Sequence, residues 1–125
     1  MRRGIKILEE VVGEGPEVQR HRYYRMSLRM WLNKGEPVVW TKPFGLLDQS
    51  HISDDGQTLT ADYRIDREFL FGGLFYGIQG MRIGGRRLLK LSPHLAYRDA
   101  GVEGMIPPKA VLKVEVCIHG ERTMR

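Results

Sequence analysis

Few side chains in this sequence are spaced for covalent chemistry. The histidines His21, His51, His94 and His119 show no ligand spacing and no partner pattern, so no metal is expected. Ser27, Ser50, Ser53 and Ser92 lack the context that exposes a nucleophilic serine. One cysteine, Cys117, excludes an internal disulfide and a cysteine-built zinc site. Gly84-Gly85 reads as a turn rather than a phosphate cradle, because no helix-opening Gly-x-Gly-x-x-Gly follows a strand. What remains is hydrogen bonding over an apolar surface. Residues 77–97, GIQGMRIGGRRLLKLSPHLAY, run through a glycine turn and a strand, then deliver Tyr97 on a loop. Its hydroxyl serves either as a site group or as a loop anchor bonded to the backbone. A second feature is the stripe Tyr23, Arg25, Ser27, Arg29, Trp31, where cations and rings interleave on one side of a strand. Such a stripe suits an anion or an acidic partner; alternatively it is a solvated face whose arginine stems cover rings.

The elements that position these residues follow from periodicity. The 125 residues make one domain, 42% hydrophobic and 28% charged, with 15 glycines and 6 prolines that point to strands joined by turns. A net charge of +5 favours anionic partners only mildly, and nucleic acid is not the expected one. No apolar run approaches the roughly 20 residues of a membrane span. The N-terminal residues show no signal-peptide pattern, so a cytoplasmic location and no membrane partner are expected. Residues 5–12 read as an edge strand. From 21 to 32 the pattern alternates, with Tyr24, Met26, Leu28, Met30 and Leu32 on one side. Asn33-Lys34-Gly35 is a hairpin turn before a returning strand at 38–40. Residues 41–57 read as a long loop and 58–65 as a strand. Gly72-Gly73 lies in an apolar stretch and limits it to one short helix over at least 73–76. A hairpin turning at Gly84-Gly85 joins 81–83 to a strand through Leu91. A loop at 92–110 precedes the closing strand, whose Leu112, Val114, Val116 and Ile118 face inward. The order implies an α+β domain: a twisted antiparallel sheet wrapped on a single helix.

Several runs together resemble the FKBP family, the macrolide-binding peptidyl-prolyl isomerases. They are Gly77-Ile78-Gln79-Gly80-Met81 with Gly84, Leu91-Ser92-Pro93 with Ala96-Tyr97, and Ile106-Pro107-Pro108-Lys109-Ala110-Val111-Leu112. The family reads there as G-hydrophobic-x-x-M-x-x-G, I-P-x-x-x-A-Y-G and I-P-P-x-A-x-L. The match is ungapped from about Asp62 to Ile118, and Gly13-Glu14-Gly15 resembles an early family turn. The resemblance implies an FKBP-like half-barrel around one short helix, with a peptide site between them under the 92–110 loop. Tyr97 would hydrogen-bond a ligand carbonyl there, and the backbone N–H of Ile106 would also meet the ligand.

The other family pocket positions fall on Leu28, Val38, Ala61, Phe71, Leu74, Met105 and Val114. Most are aliphatic where the family has rings, and Val39 stands where it has a carboxylate. Isomerising an X-Pro bond breaks no covalent bond, so no cofactor is required. The barrier is amide resonance of about 18–20 kcal/mol. A 10⁵-fold gain needs about 7 kcal/mol of differential stabilisation of the twisted amide. The resemblance therefore implies a peptidyl-prolyl isomerase that binds proline-containing apolar segments, and the loss of pocket rings implies weak activity. The rival is a non-catalytic scaffold that recruits a partner protein through the 41–57 loop or through Arg25, Arg29 and Trp31. That loop exceeds the family's by about a dozen residues, an insertion of small entropic cost, and its Phe44, Leu46 and Leu47 are placed to fold over the pocket or to contact a partner.

Overall fold

The computed structural model describes residues 3–122. Its strands are β1 (Ile5–Val11), β2 (Tyr23–Leu32), β3 (His51–Ile52) and β4 (Thr58–Arg64). One helix, α1 (Gly72–Gly77), follows, then β5 (Arg86–Leu91) and β6 (Leu112–Arg122). They form a six-stranded antiparallel sheet in the order β1-β5-β6-β2-β4-β3. Among the described residues no helix is long and apolar enough to cross a membrane.

Alternation builds the centre of this sheet. Tyr24, Met26, Leu28 and Met30 of β2 are buried, as are Leu112, Val114, Val116 and Ile118 of β6. The register sets Leu28 beside Val116 and Met30 beside Val114, so the two inward rows make one apolar surface. Helix α1 lies close to that surface because it carries glycines. A Cβ on Gly73 would come within 2.6 Å of a Leu91 methyl and 2.7 Å of the Leu95 carbonyl, and one on Gly77 within 2.5 Å of a Leu89 methyl. The helical propensity lost at these glycines is offset by close approach to β5.

Arg87 extends from the inward side of β5 and is buried with its charge compensated. Its guanidinium donates to the Gly77 carbonyl at 2.9 Å, the Gln79 carbonyl at 2.7 Å and the Glu10 carboxylate at 2.6 Å. One side chain thus ties the C-terminal end of α1 to the edge strand β1 and satisfies carbonyls that no helical N–H reaches.

Three sequence expectations need correction. Residues 38–40 form no regular strand; the turn closes through a single Trp31–Pro37 bridge, and the chain then leaves the sheet. Residues 81–83 do not pair with β5, because Arg82 bridges to Glu17 while β5 lies between β1 and β6. The 41–57 segment is no structureless loop. It contains a 3₁₀ turn (Gly45–Leu47) with Leu47 fully buried, and β3 extends the sheet beside β4.

Candidate functional site

Two long-range segments meet at Tyr97. The first is the loop after β5, where Pro93 opens a 3₁₀ turn (Pro93–Leu95) and the chain then presents Ala96-Tyr97 towards the N-terminal end of α1. The second is the chain leaving the β2 turn, anchored where the Trp40 N–H donates to the Gly56 carbonyl at 2.7 Å. Around the Tyr97 ring stand Phe71 at 5.3 Å, Trp40 at 6.1 Å and Phe44 at 6.2 Å between centroids, all tilted by 54–58°. These are favourable aromatic geometries, worth roughly 0.5–1.5 kcal/mol per pair beyond area burial.

The polar tips of this cage are its most informative feature. Neither the Tyr97 hydroxyl nor the Trp40 indole N–H has a hydrogen-bond partner, although both atoms are buried. Buried polar atoms are nearly always paired in folded proteins, and leaving one unpaired costs about 1–3 kcal/mol. Burial pushes the Tyr97 hydroxyl well above the usual tyrosine range, with a smaller push from Tyr63. It therefore stays protonated as a hydrogen-bond donor and does not act as a base. Burial pushes the neighbouring Tyr63 hydroxyl up to about 12, an effect partly opposed by its hydrogen bond with Ser50. The cage thus combines flat apolar walls with two idle donors and no acid–base pair, which suits holding an amide carbonyl rather than transferring a proton.

The positions singled out from sequence are not equally accessible. Phe71 lies on the wall, and Ala61 and Met105 are half-buried against the core. Leu28, Val38, Leu74 and Val114 are covered, with exposures of 0–1%. They underlie the site as core, and a ligand touches them only after displacing what covers them. The Ile106 N–H, expected to meet a ligand, instead donates to the Val102 carbonyl at 2.8 Å, and Val102 returns the bond. An aliphatic cup was expected at Leu28, Val38, Leu74 and Val114. The rings around Tyr97 come from the expected Phe71, from Phe44 of the segment read as able to fold over the pocket, and from Trp40. Trp40 was missed because it follows the Val38-Val39 pair and the segment was read as a strand.

The stripe on β2 is internally paired to a large degree. Arg25 donates to Asp62 at 2.6 Å, and that hydrogen bond holds the Asp62 carboxyl below the usual carboxylate range. Arg29 donates to Gln57 at 3.2 Å and lies over the Trp31 ring at 5.6 Å. Ser27 is bonded to His119 and Thr60.

Comparison with known proteins bears on this site. Residues 44–119 match the model of the FKBP-type peptidyl-prolyl cis-trans isomerase family. A peptidyl-prolyl cis-trans isomerase of Mus musculus, FKBP9, is 36% identical over 72 residues, covering 51% of this chain and 13% of that protein. The 39 kDa FK506-binding nuclear protein of Drosophila melanogaster is 26% identical over 117 residues, covering 90% of this chain and 28% of that protein. The chain thus spans about an eighth of the first relative's length and just over a quarter of the second's. The crystal structure of AtFKBP13 superposes with a TM-score of 0.65 at 26% identity, covering 94% of this chain and 91% of that one.

Proposed function

The chain belongs to the FKBP-type peptidyl-prolyl cis-trans isomerase family, and on that premise we propose that it binds proline-containing apolar peptide segments at the Tyr97 cage and isomerises their X-Pro bond there. The observation that carries this reading is the unpaired Tyr97 hydroxyl, buried inside a wall of rings. A twisted amide has lost charge separation and needs less hydration than a planar one, so an apolar cage favours it. Once a ligand displaces what covers them, the buried Tyr97 hydroxyl and Trp40 indole N–H supply donors for the amide carbonyl, and Phe71 and Phe44 supply faces for the proline ring. Turnover is slow, because the deeper positions Leu28, Leu74 and Val114 are covered and the Ile106 amide is engaged. The protein works in a reducing compartment such as the cytoplasm, a placement supported by its single cysteine, Cys117.

The test is a protease-coupled proline isomerisation assay on the purified protein. Tyr97→Phe removes one hydrogen bond, so the rate should fall by up to about tenfold with the fold intact. An unchanged rate in that variant would remove Tyr97 from the mechanism.

The second reading is a peptide-binding scaffold without catalysis, favoured by the same covered floor and by the exposed Phe44 and Leu46 on the 41–57 segment. It predicts peptide binding with background exchange, and loss of partner recruitment in a Phe44→Ser, Leu46→Ser variant.

A further inference from the structure

We propose that the segment bound at the Tyr97 cage carries an anionic side chain, a carboxylate or a phosphate, next to its proline, and that Arg98 and Arg67 read it. This rests on the peptide-binding reading above. Beside the cage, sharing Phe71 with it, opens a crevice of about 390 Å³ lined among others by Leu46, Tyr76, Arg67, His94 and Arg98. Across the Pro93–Leu95 turn, His94 and Arg98 also line a second crevice of about 620 Å³ that reaches Lys109. Asp99 is the one carboxylate among the lining residues of the two, so the rim is cationic.

Six other arginines, Arg22, Arg25, Arg64, Arg86, Arg87 and Arg122, each lie against a carboxylate. Arg20 instead lies over the Phe75 ring, Arg29 donates to Gln57 and Arg82 donates to the Gly15 carbonyl. Among the described residues no carboxylate pairs with Arg67 or Arg98. Arg67 is nonetheless held in place, donating to the Leu70 carbonyl at 2.8 Å, with its guanidinium over Gly72. A pre-positioned guanidinium without a counterion is what a bidentate contact with carboxylate or phosphate requires.

The backbone supplies an independent argument. Arg98 has φ 56° and Lys109 φ 58°, the left-handed region that an L side chain occupies at a conformational cost. The two are joined where the Lys109 N–H donates to the Arg98 carbonyl at 2.9 Å. In the family motif the residue after Ala-Tyr is glycine, which takes this backbone freely; here Ala96-Tyr97 is followed by Arg98. Stability alone favours glycine.

The experiment measures binding by fluorescence anisotropy for labelled X-Pro peptides with X as Glu, phosphoserine, Leu or Lys, with exchange rates followed separately. The Glu and phosphoserine peptides should bind about tenfold or more tightly than the Leu peptide, as charge-assisted hydrogen bonds do. In Arg98→Gly that advantage should shrink to about twofold, while the melting temperature holds or rises because glycine relieves the backbone. Arg67→Gln should reduce it as well. A phosphoserine peptide tighter than Glu, and displaced by inorganic phosphate, marks a phosphate site; equal affinities show that a carboxylate suffices. Equal or tighter binding of the Leu peptide, or an acidic preference that survives both substitutions, overturns the proposal. Acid-selective binding without accelerated exchange upholds it and removes the isomerase reading. Absence of binding by every peptide removes both.

Discussion

The two ends of α1 treat buried polar groups in opposite ways. At the C-terminal end, Arg87 is buried with bonds to Gly77, Gln79 and Glu10, so its donors are matched to acceptors. At the N-terminal end, the Tyr97 hydroxyl and the Trp40 indole N–H are buried among rings with no acceptor. The first arrangement stabilises the fold by joining helix to edge strand. The second forgoes stability, and the difference separates a structural element from the proposed binding site at the two ends of one short helix.

The largest expected effect lies at the satisfied end. Arg87→Ala leaves Glu10 and two carbonyls without their partner and should destabilise the protein by about 3 kcal/mol or more. Chemical denaturation measures this; a loss below about 1 kcal/mol would break the contrast. Next comes Leu74→Trp, on the helix face between the two ends. Leu74 is 1% exposed, so the larger ring overpacks the core and costs about 1–3 kcal/mol with no gain in isomerase rate. A raised rate with an unchanged melting temperature would mean that the floor opens in solution.

At the unsatisfied end the effects on stability are smaller. Tyr97→Phe should leave stability within about 1 kcal/mol of the parent, and on the favourable side, because the deleted hydroxyl has no partner to lose. A clear loss would show that the hydroxyl is a loop anchor after all. The pH dependence sharpens the same point. The folded values of Tyr63 and Tyr97 are raised, so the native state holds these protons longer than the unfolded chain. Their contribution is complete below about pH 10, the unfolded tyrosine value, and declines as pH rises towards the Tyr63 value of about 12. Ultraviolet titration of tyrosinate should show late-ionising groups, with one fewer in Tyr97→Phe.

How much of this was legible differs from residue to residue. The inward rows of β2 and β6 were readable because strand alternation is local and a buried face tolerates only apolar side chains. Tyr97 was readable because its loop carries a distinctive run from Leu91 to Tyr97. Arg87 was not, since its place in the alternation marked it as inward but nothing nearby named Glu10 or the Gly77 carbonyl as partners. Trp40 lies more than fifty residues from Tyr97 and no periodicity connects them. Phe44, also more than fifty residues away, was readable as able to fold over the pocket or contact a partner, and its ring stands beside Tyr97.

Sequence alone therefore determined the sheet's faces, the short glycine-bearing helix and the loop that presents Tyr97, all of which depend on residues within a few positions of one another. Only the tertiary structure decided that the cage's rings come from the segment after β2, that the expected floor is sealed core, and that the Ile106 amide is already bonded. Each of these depends on which distant segments meet and which polar groups find partners there, and burial and hydrogen bonding are settled by the whole chain.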